Sequence, residues 1–175
     1  METLEAIAKR TSTRKFKETQ ISEENLQAIL KAGMAAPVGS GAYNSLHITV
    51  VQNQSVFSKI NAAVTELIFK MMGKKMDKNF GASTMIFVSS KPAMMPGLEY
   101  ANTACVLENM AIAATSLGID NIIWGGASSA VEQNAELRKI LEIPEGYKPI
   151  LCISLGYASE NEIPKKHEIT VNKII

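Results

Sequence analysis

The chain has 175 residues, room for one domain with a sizeable core but not for a second independent one. Its 18 basic and 17 acidic side chains leave a formal charge of +1, which excludes a chain-wide electrostatic footprint for nucleic acid or an anionic membrane. Two cysteines without C-x-x-C spacing and two histidines exclude a disulfide scaffold and a zinc centre. A single domain over residues 1–175 is expected, at home in a reducing cytosol, with no metal, nucleic-acid or membrane partner. Cys105 and Cys152 both lie in apolar runs and are expected to be small buried hydrophobes.

The opening "METLEAIAKR" alternates in charge and has no apolar stretch of the kind a secretory leader needs. No window is apolar enough to span a bilayer. From Lys9 to Ser22, "KRTSTRKFKETQIS" sets Arg10 and Arg14 around Thr11, Ser12 and Thr13. Arginine offers a planar fork that suits phosphate, and hydroxyls add neutral hydrogen bonds to the same oxygens. On these residues alone the stretch is either an anion clamp or a solvated turn after a short helix.

"ISEENLQAILKAGMAAP" predicts an amphipathic helix capped by Ser22, with Leu26, Ile29 and Leu30 on its apolar face, stopping at Gly33 and Pro37. A loop follows. "LHITVV" from Leu46 to Val51 and "STMIFVSS" from Ser83 to Ser90 read as strands, with a helical segment between them. That segment ends in lysines and methionines from Lys70 to Lys78, an element that moves or faces a partner rather than a nucleic-acid patch.

The longest helix is expected over Leu98–Leu117, closed by Gly118, and it is apolar nearly all round. Such a helix belongs at the centre of the domain or in a subunit interface. "NIIWGG" follows. A helix over Val131–Leu141 is then predicted, with Ser129 and Glu132 at capping-box spacing, and "YKPILCISLGY" reads as a buried strand. Helices and strands alternate without βαβ regularity, so the fold class is α+β.

Common catalytic signatures are missing. "GSGAYN" from Gly39 to Asn44 lacks a third glycine and precedes a strand, which rules out a dinucleotide fingerprint. Neither cysteine stands in an electropositive loop, and His47 and His167 suit packing or solvent contact better than general base work. The catalytic residues stay unassigned, and the chemistry must come from a bound group.

Four blocks together resemble the nitroreductase family of FMN-dependent, NAD(P)H-using oxidoreductases: "RTSTRKF", "AAPVGSGAYNSLHITVV", "ENMAIAATSLGIDNIIWGG" and "LRKILEIPEGYKPILCISLGYASENEIPKKHE". The resemblance implies a three-layer α-β-α sandwich with a central mixed or antiparallel sheet, in a domain-swapped homodimer with FMN at the subunit interface. It assigns Arg10, Thr11, Ser12 and Arg14 to the FMN phosphate and ribityl chain, with Lys165 and His167 from the basic tail. Pro37, Val38, Gly39, Ser40 and Asn44 would line the flavin ring. Trp124, Gly125 and Gly126 would stand at its N5/O4 edge, although Trp124 is read most simply as a core or interface residue. Gly126 would serve there through its tolerance of positive φ, unless "WGG" is merely a turn.

Leu46 and His47 depart from the Pro-Trp of many members, and Gly125 from an acidic residue in some, departures that bear on substrate range. The resemblance implies hydride transfer from NADH or NADPH to flavin N5 and a ping-pong reduction of nitroaromatics, quinones or similar electrophiles. The alternatives are a narrower task such as enone reduction, dehalogenation or flavin fragmentation, or a non-enzymatic flavin-sequestering protein.

Overall fold

A computed structural model describes residues 1–74, 80–160, 163–164 and 167–175. Among these residues six α-helices and four strands follow in the order α1 (Thr3–Lys9), α2 (Glu23–Met34), β1 (Leu46–Val51), α3 (Gln54–Met72), β2 (Thr84–Ser90), α4 (Leu98–Ser116), β3 (Asp120–Trp124), α5 (Gly126–Glu132), α6 (Ala135–Ile140) and β4 (Lys148–Gly156). The strands form one antiparallel sheet in the order β1-β2-β4-β3.

Alternation along the two central strands builds the layers, because successive side chains of a strand point to opposite faces. Ile86, Val88, Ile153 and Leu155 face a core shared with Leu26 and Ile29 of α2 and Leu107, Met110 and Ala114 of α4. Met85, Phe87 and Cys152 face the other core, with Phe57 and Ile60 of α3, Val131 of α5 and Leu137 of α6. The fold is therefore the expected α+β helix–sheet–helix sandwich.

Several local readings hold at residue level. Ser22 caps α2, its hydroxyl accepting the Asn25 N–H at 3.2 Å. Gly118, at φ +74°, closes α4: its amide donates to Thr115 and that of Ile119 to Ala114. At Gly33 an added Cβ would lie 2.3 Å from Cε of Met110, so glycine is what lets α2 approach α4 closely.

Two readings are corrected. The helix expected over Val131–Leu141 is two short helices, and Ser129 lies inside α5 rather than at a cap. Asn134 breaks the run: its side chain accepts the Leu137 N–H at 3.0 Å and starts α6 afresh. Cys105 is exposed, whereas Cys152 is buried. With Tyr100, Ala101, Ala104 and Glu108, Cys105 forms an open face of α4 turned away from the sheet. The Lys70–Lys78 reading falls partly outside the described residues. Within them, α3 ends at Gly73, and Lys70 pairs with Glu66 at 2.7 Å. Among the described residues no helix is long and apolar enough to cross a membrane, and no His/Cys/Asp/Glu group could hold a metal.

Candidate functional site

The chain leaves α1 at Arg10, whose backbone (φ −56°, ψ 124°) is already extended, so Arg10 and Arg14 do not share a helical face. The stretch runs instead along the sheet margin. Ser12 forms a parallel bridge with Asn121, Phe16 an antiparallel one with Ala158, and the Thr13 N–H donates to the Asn121 carbonyl at 3.0 Å. Thr13 and Phe16 point inward and Arg14 outward.

Charge pairing then sorts the cations. Lys9 binds Glu5 at 2.8 Å, and Lys15 binds Glu160 at 2.6 Å. Among the described residues Arg10 and Arg14 have no carboxylate partner, and Arg14 donates only to the Ser12 carbonyl, at 3.0 Å. Arg10, Thr11, Ser12, Arg14 and His167 line one cavity of about 570 Å³ together with Pro164. Uncompensated guanidinium groups and hydroxyls around one space suit a phosphate, whose oxygens accept charge-assisted bonds. Lys165 lies outside the described residues.

The loop before β1 forms a second cluster. Val38 is buried, whereas Pro37, Ser40 and Asn44 are exposed. Ser40 and Gly41 are consecutively left-handed, at φ +59° and +62°. A Cβ on Gly39 would lie 2.9 Å from Leu98 Cδ1, so any side chain there must push the Leu98 side chain aside. Val38, Tyr43, Leu46 and His47 border an apolar cavity of about 410 Å³ with Met34. His47 packs edge-on against Tyr147, with ring centroids 5.9 Å apart, in keeping with a packing role.

Gly125 and Gly126 form a third location, where β3 turns into α5. Gly125 caps the helix at φ −98°, and Gly126 has no positive φ, which corrects the conformational reason given for it. A Cβ on Gly126 would meet the Trp124 ring at 3.3 Å, so the glycine makes room for the indole. Trp124 is half-buried, donates its Nε1–H to Ser154 Oγ at 3.0 Å and stands edge-on to Phe80. Beneath the turn, the Cys152 thiol donates to the Trp124 carbonyl at 3.2 Å, and burial pushes that thiol far above its usual pKa.

The arginine stretch and the loop do not converge within one chain. Ser12 bridges Asn121, whose row across the sheet runs through Leu155 to Thr84. The loop enters β1 at Leu46, which pairs with Ser90, itself opposite Lys148. Clamp and loop thus occupy diagonal corners of the sheet. Across the sheet alone they are three strand spacings of about 4.8 Å apart, roughly 14 Å.

Similarity to known proteins agrees with this architecture. The model of the nitroreductase family matches residues 7–157. A relative from Archaeoglobus fulgidus, provisionally named NADH dehydrogenase/NAD(P)H nitroreductase, is 30% identical over 162 residues, covering 92% of this chain and 88% of the relative. The crystal structure of a nitroreductase with bound FMN from Desulfitobacterium hafniense superposes with TM-score 0.86 at 30% identity, covering 99% of this chain and 100% of that one. The FMN-bound nitroreductase of Bacteroides fragilis gives 0.84 at 29% identity, covering 100% and 98%. A match that takes in the clamp, the loop and all four strands leaves one conclusion: the chain belongs to the nitroreductase family.

Proposed function

We propose that the protein is an FMN-dependent oxidoreductase that draws reducing equivalents from NAD(P)H and delivers them to an electrophilic small molecule, a nitroaromatic or quinone, in a ping-pong cycle. The observation that carries this reading is the pair Arg10 and Arg14, unpaired with any described carboxylate and gathered with Thr11, Ser12 and His167 on one cavity. FMN held by these residues would supply the redox chemistry.

The residues of this chain bind and orient. Arg10 and Arg14 neutralise the phosphate, with Lys165 of the tail as the third cation, while Thr11 and Ser12 bond its oxygens and the polyol. Gly125 and Gly126 offer backbone N–H groups, beside Trp124, to the ring edge where negative charge develops. Pro37, Val38, Gly39, Ser40 and Asn44 cover the ring and keep water away.

Because clamp and loop lie at diagonal corners of one sheet, a complete site takes the loop from a second copy, which makes the working form a homodimer. Two exposed apolar surfaces support that assembly. One is the open face of α4; the other is the tail, where Ile169, Val171, Ile174 and Ile175 pack against nothing, at 81–105% exposure.

The test is anaerobic addition of NADPH to the FMN-loaded protein, followed by a quinone. Bleaching of the flavin and its return are expected, whereas a flavin that stays oxidised with both NADH and NADPH would contradict an oxidoreductase.

A further inference from the structure

The loop that this reading places against the flavin presents mostly backbone, and something must hold that backbone still. Its internal turns are short: the Gly41 N–H donates to Val38, that of Ala42 to Gly39 and that of Ser45 to Ala42, at 3.0, 3.3 and 3.0 Å. Between them the arch turns its Cβ positions toward open space. Ser40 is exposed in the left-handed region, and a Cβ on Gly41 would meet nothing within 4 Å. A non-glycine residue in that region is strained by roughly 1–2 kcal/mol and persists only where its surroundings enforce it.

Each end of the arch is tied by a side chain from elsewhere in the fold. At the first end, the Gly39 N–H donates to Oδ1 of Asn102 at 2.9 Å, and Asn102 is only 5% exposed within α4. At the second end, the Tyr147 hydroxyl donates to the Asn44 carbonyl at 2.7 Å. Tyr147 is itself held in place: its ring lies edge-on to His47, Lys91 Nζ stands 5.1 Å from the ring centre, and Arg138 donates to its carbonyl at 2.8 Å. Arg138 in turn pairs with Glu132 of α5.

We infer that Asn102 and Tyr147 are positioning residues that pin the two ends of the 39–44 arch and so set the backbone against the flavin. The inference rests on the proposed flavin site but concerns residues that site does not include. Neither touches the reacting atoms. Their effect passes through Gly39 and Asn44, and the strain at Ser40 is sustained only while both pins hold.

The experiment compares the full-length parent with Tyr147→Phe, which removes one hydroxyl and keeps the ring, and with Asn102→Leu and Asn102→Asp. FMN affinity, the visible circular dichroism of bound FMN, and amide hydrogen exchange of residues 39–45 without flavin are measured for each. Tyr147→Phe is expected to weaken FMN about fivefold, the worth of one net hydrogen bond, and to speed exchange in the loop while the urea midpoint stays put. Asn102→Leu should weaken FMN by about tenfold or more, and Asn102→Asp, which keeps an acceptor for the Gly39 N–H, should recover part of it. A changed flavin dichroism in Tyr147→Phe is also expected, since a merely structural loss would leave it unaltered. FMN affinity and dichroism equal to the parent's in both Tyr147→Phe and a folded Asn102→Leu would overturn the inference. A parent that binds no FMN would overturn the site itself, an outcome visible before any variant is made.

Discussion

Residues 10–14 and 37–44 are both short irregular stretches at the margin of the sheet, yet they are held in opposite ways. The first is tied down by its backbone, through Ser12 and Thr13 on Asn121, and that frees the side chains of Arg10 and Arg14. The second is tied down by the side chains of Asn102 and Tyr147, and what it offers is backbone. A site that works through its own side chains carries its chemistry in its local sequence. One that works through backbone borrows its geometry from residues 63 and 103 positions away.

This contrast is open to attack at several strengths. The largest effect is expected from Arg10→Ala combined with Arg14→Ala. Losing two charge-assisted contacts should cost about 3–6 kcal/mol of FMN affinity, read by flavin fluorescence titration, with little change in the unfolding midpoint. Gly39→Leu strikes the other region through packing: its side chain must displace Leu98, and a stability loss of about 1–3 kcal/mol in urea denaturation is expected.

Thiol labelling sharpens the dimer argument. In the single chain Cys105 is open and Cys152 buried with a raised pKa, so a monomer would show one fast thiol. If the open face of α4 meets a partner, Cys105 should react slowly and speed up on dilution, while Cys152 reacts only on unfolding. Ser40→Gly relieves left-handed backbone and should raise stability by at most about 1 kcal/mol, since glycine's extra unfolded-state freedom offsets part of the gain.

The smallest effect belongs to Glu136→Gln, remote from both regions. Lys59, 2.8 Å away, holds the Glu136 carboxyl below its usual pKa. Any stability from the pair is therefore present above the ordinary carboxylate range and lost as pH falls through the lowered value. Both groups are exposed, so the difference in urea midpoint between parent and Glu136→Gln should be barely measurable at pH 7 and should vanish at pH 3.

Much of the fold was legible because local signals and burial agree. β1 occupies the predicted Leu46–Val51, and the Ser22 cap and Gly118 closure follow from side-chain chemistry and positive φ. The failures share a cause. An apolar run does not show which of its residues face outward, so its pattern puts Cys105 in the core although the fold leaves it exposed. Periodicity across Val131–Leu141 hid the cap at Asn134, because an asparagine within a helical pattern looks like a solvent-facing position. Backbone freedom is the reason the sequence suggests for Gly126, whereas the fold's reason is the Trp124 ring beside it, a contact that only the folded turn creates. Arg10, Thr11, Ser12 and Arg14 were visible as a cluster, whereas Asn102 and Tyr147 carry no local signal.

The most direct measurement of the central claim is a binding cycle with FMN and riboflavin, which differ only in the phosphate, on the parent and on the Arg10→Ala/Arg14→Ala variant. The parent is expected to prefer FMN by a hundredfold or more, as about 3 kcal/mol of clamp energy requires, and the variant to lose most of that preference, keeping only the part that Lys165, Thr11 and Ser12 supply. Equal preference for FMN in parent and variant would show that these arginines do not hold the phosphate, and the claim would fail.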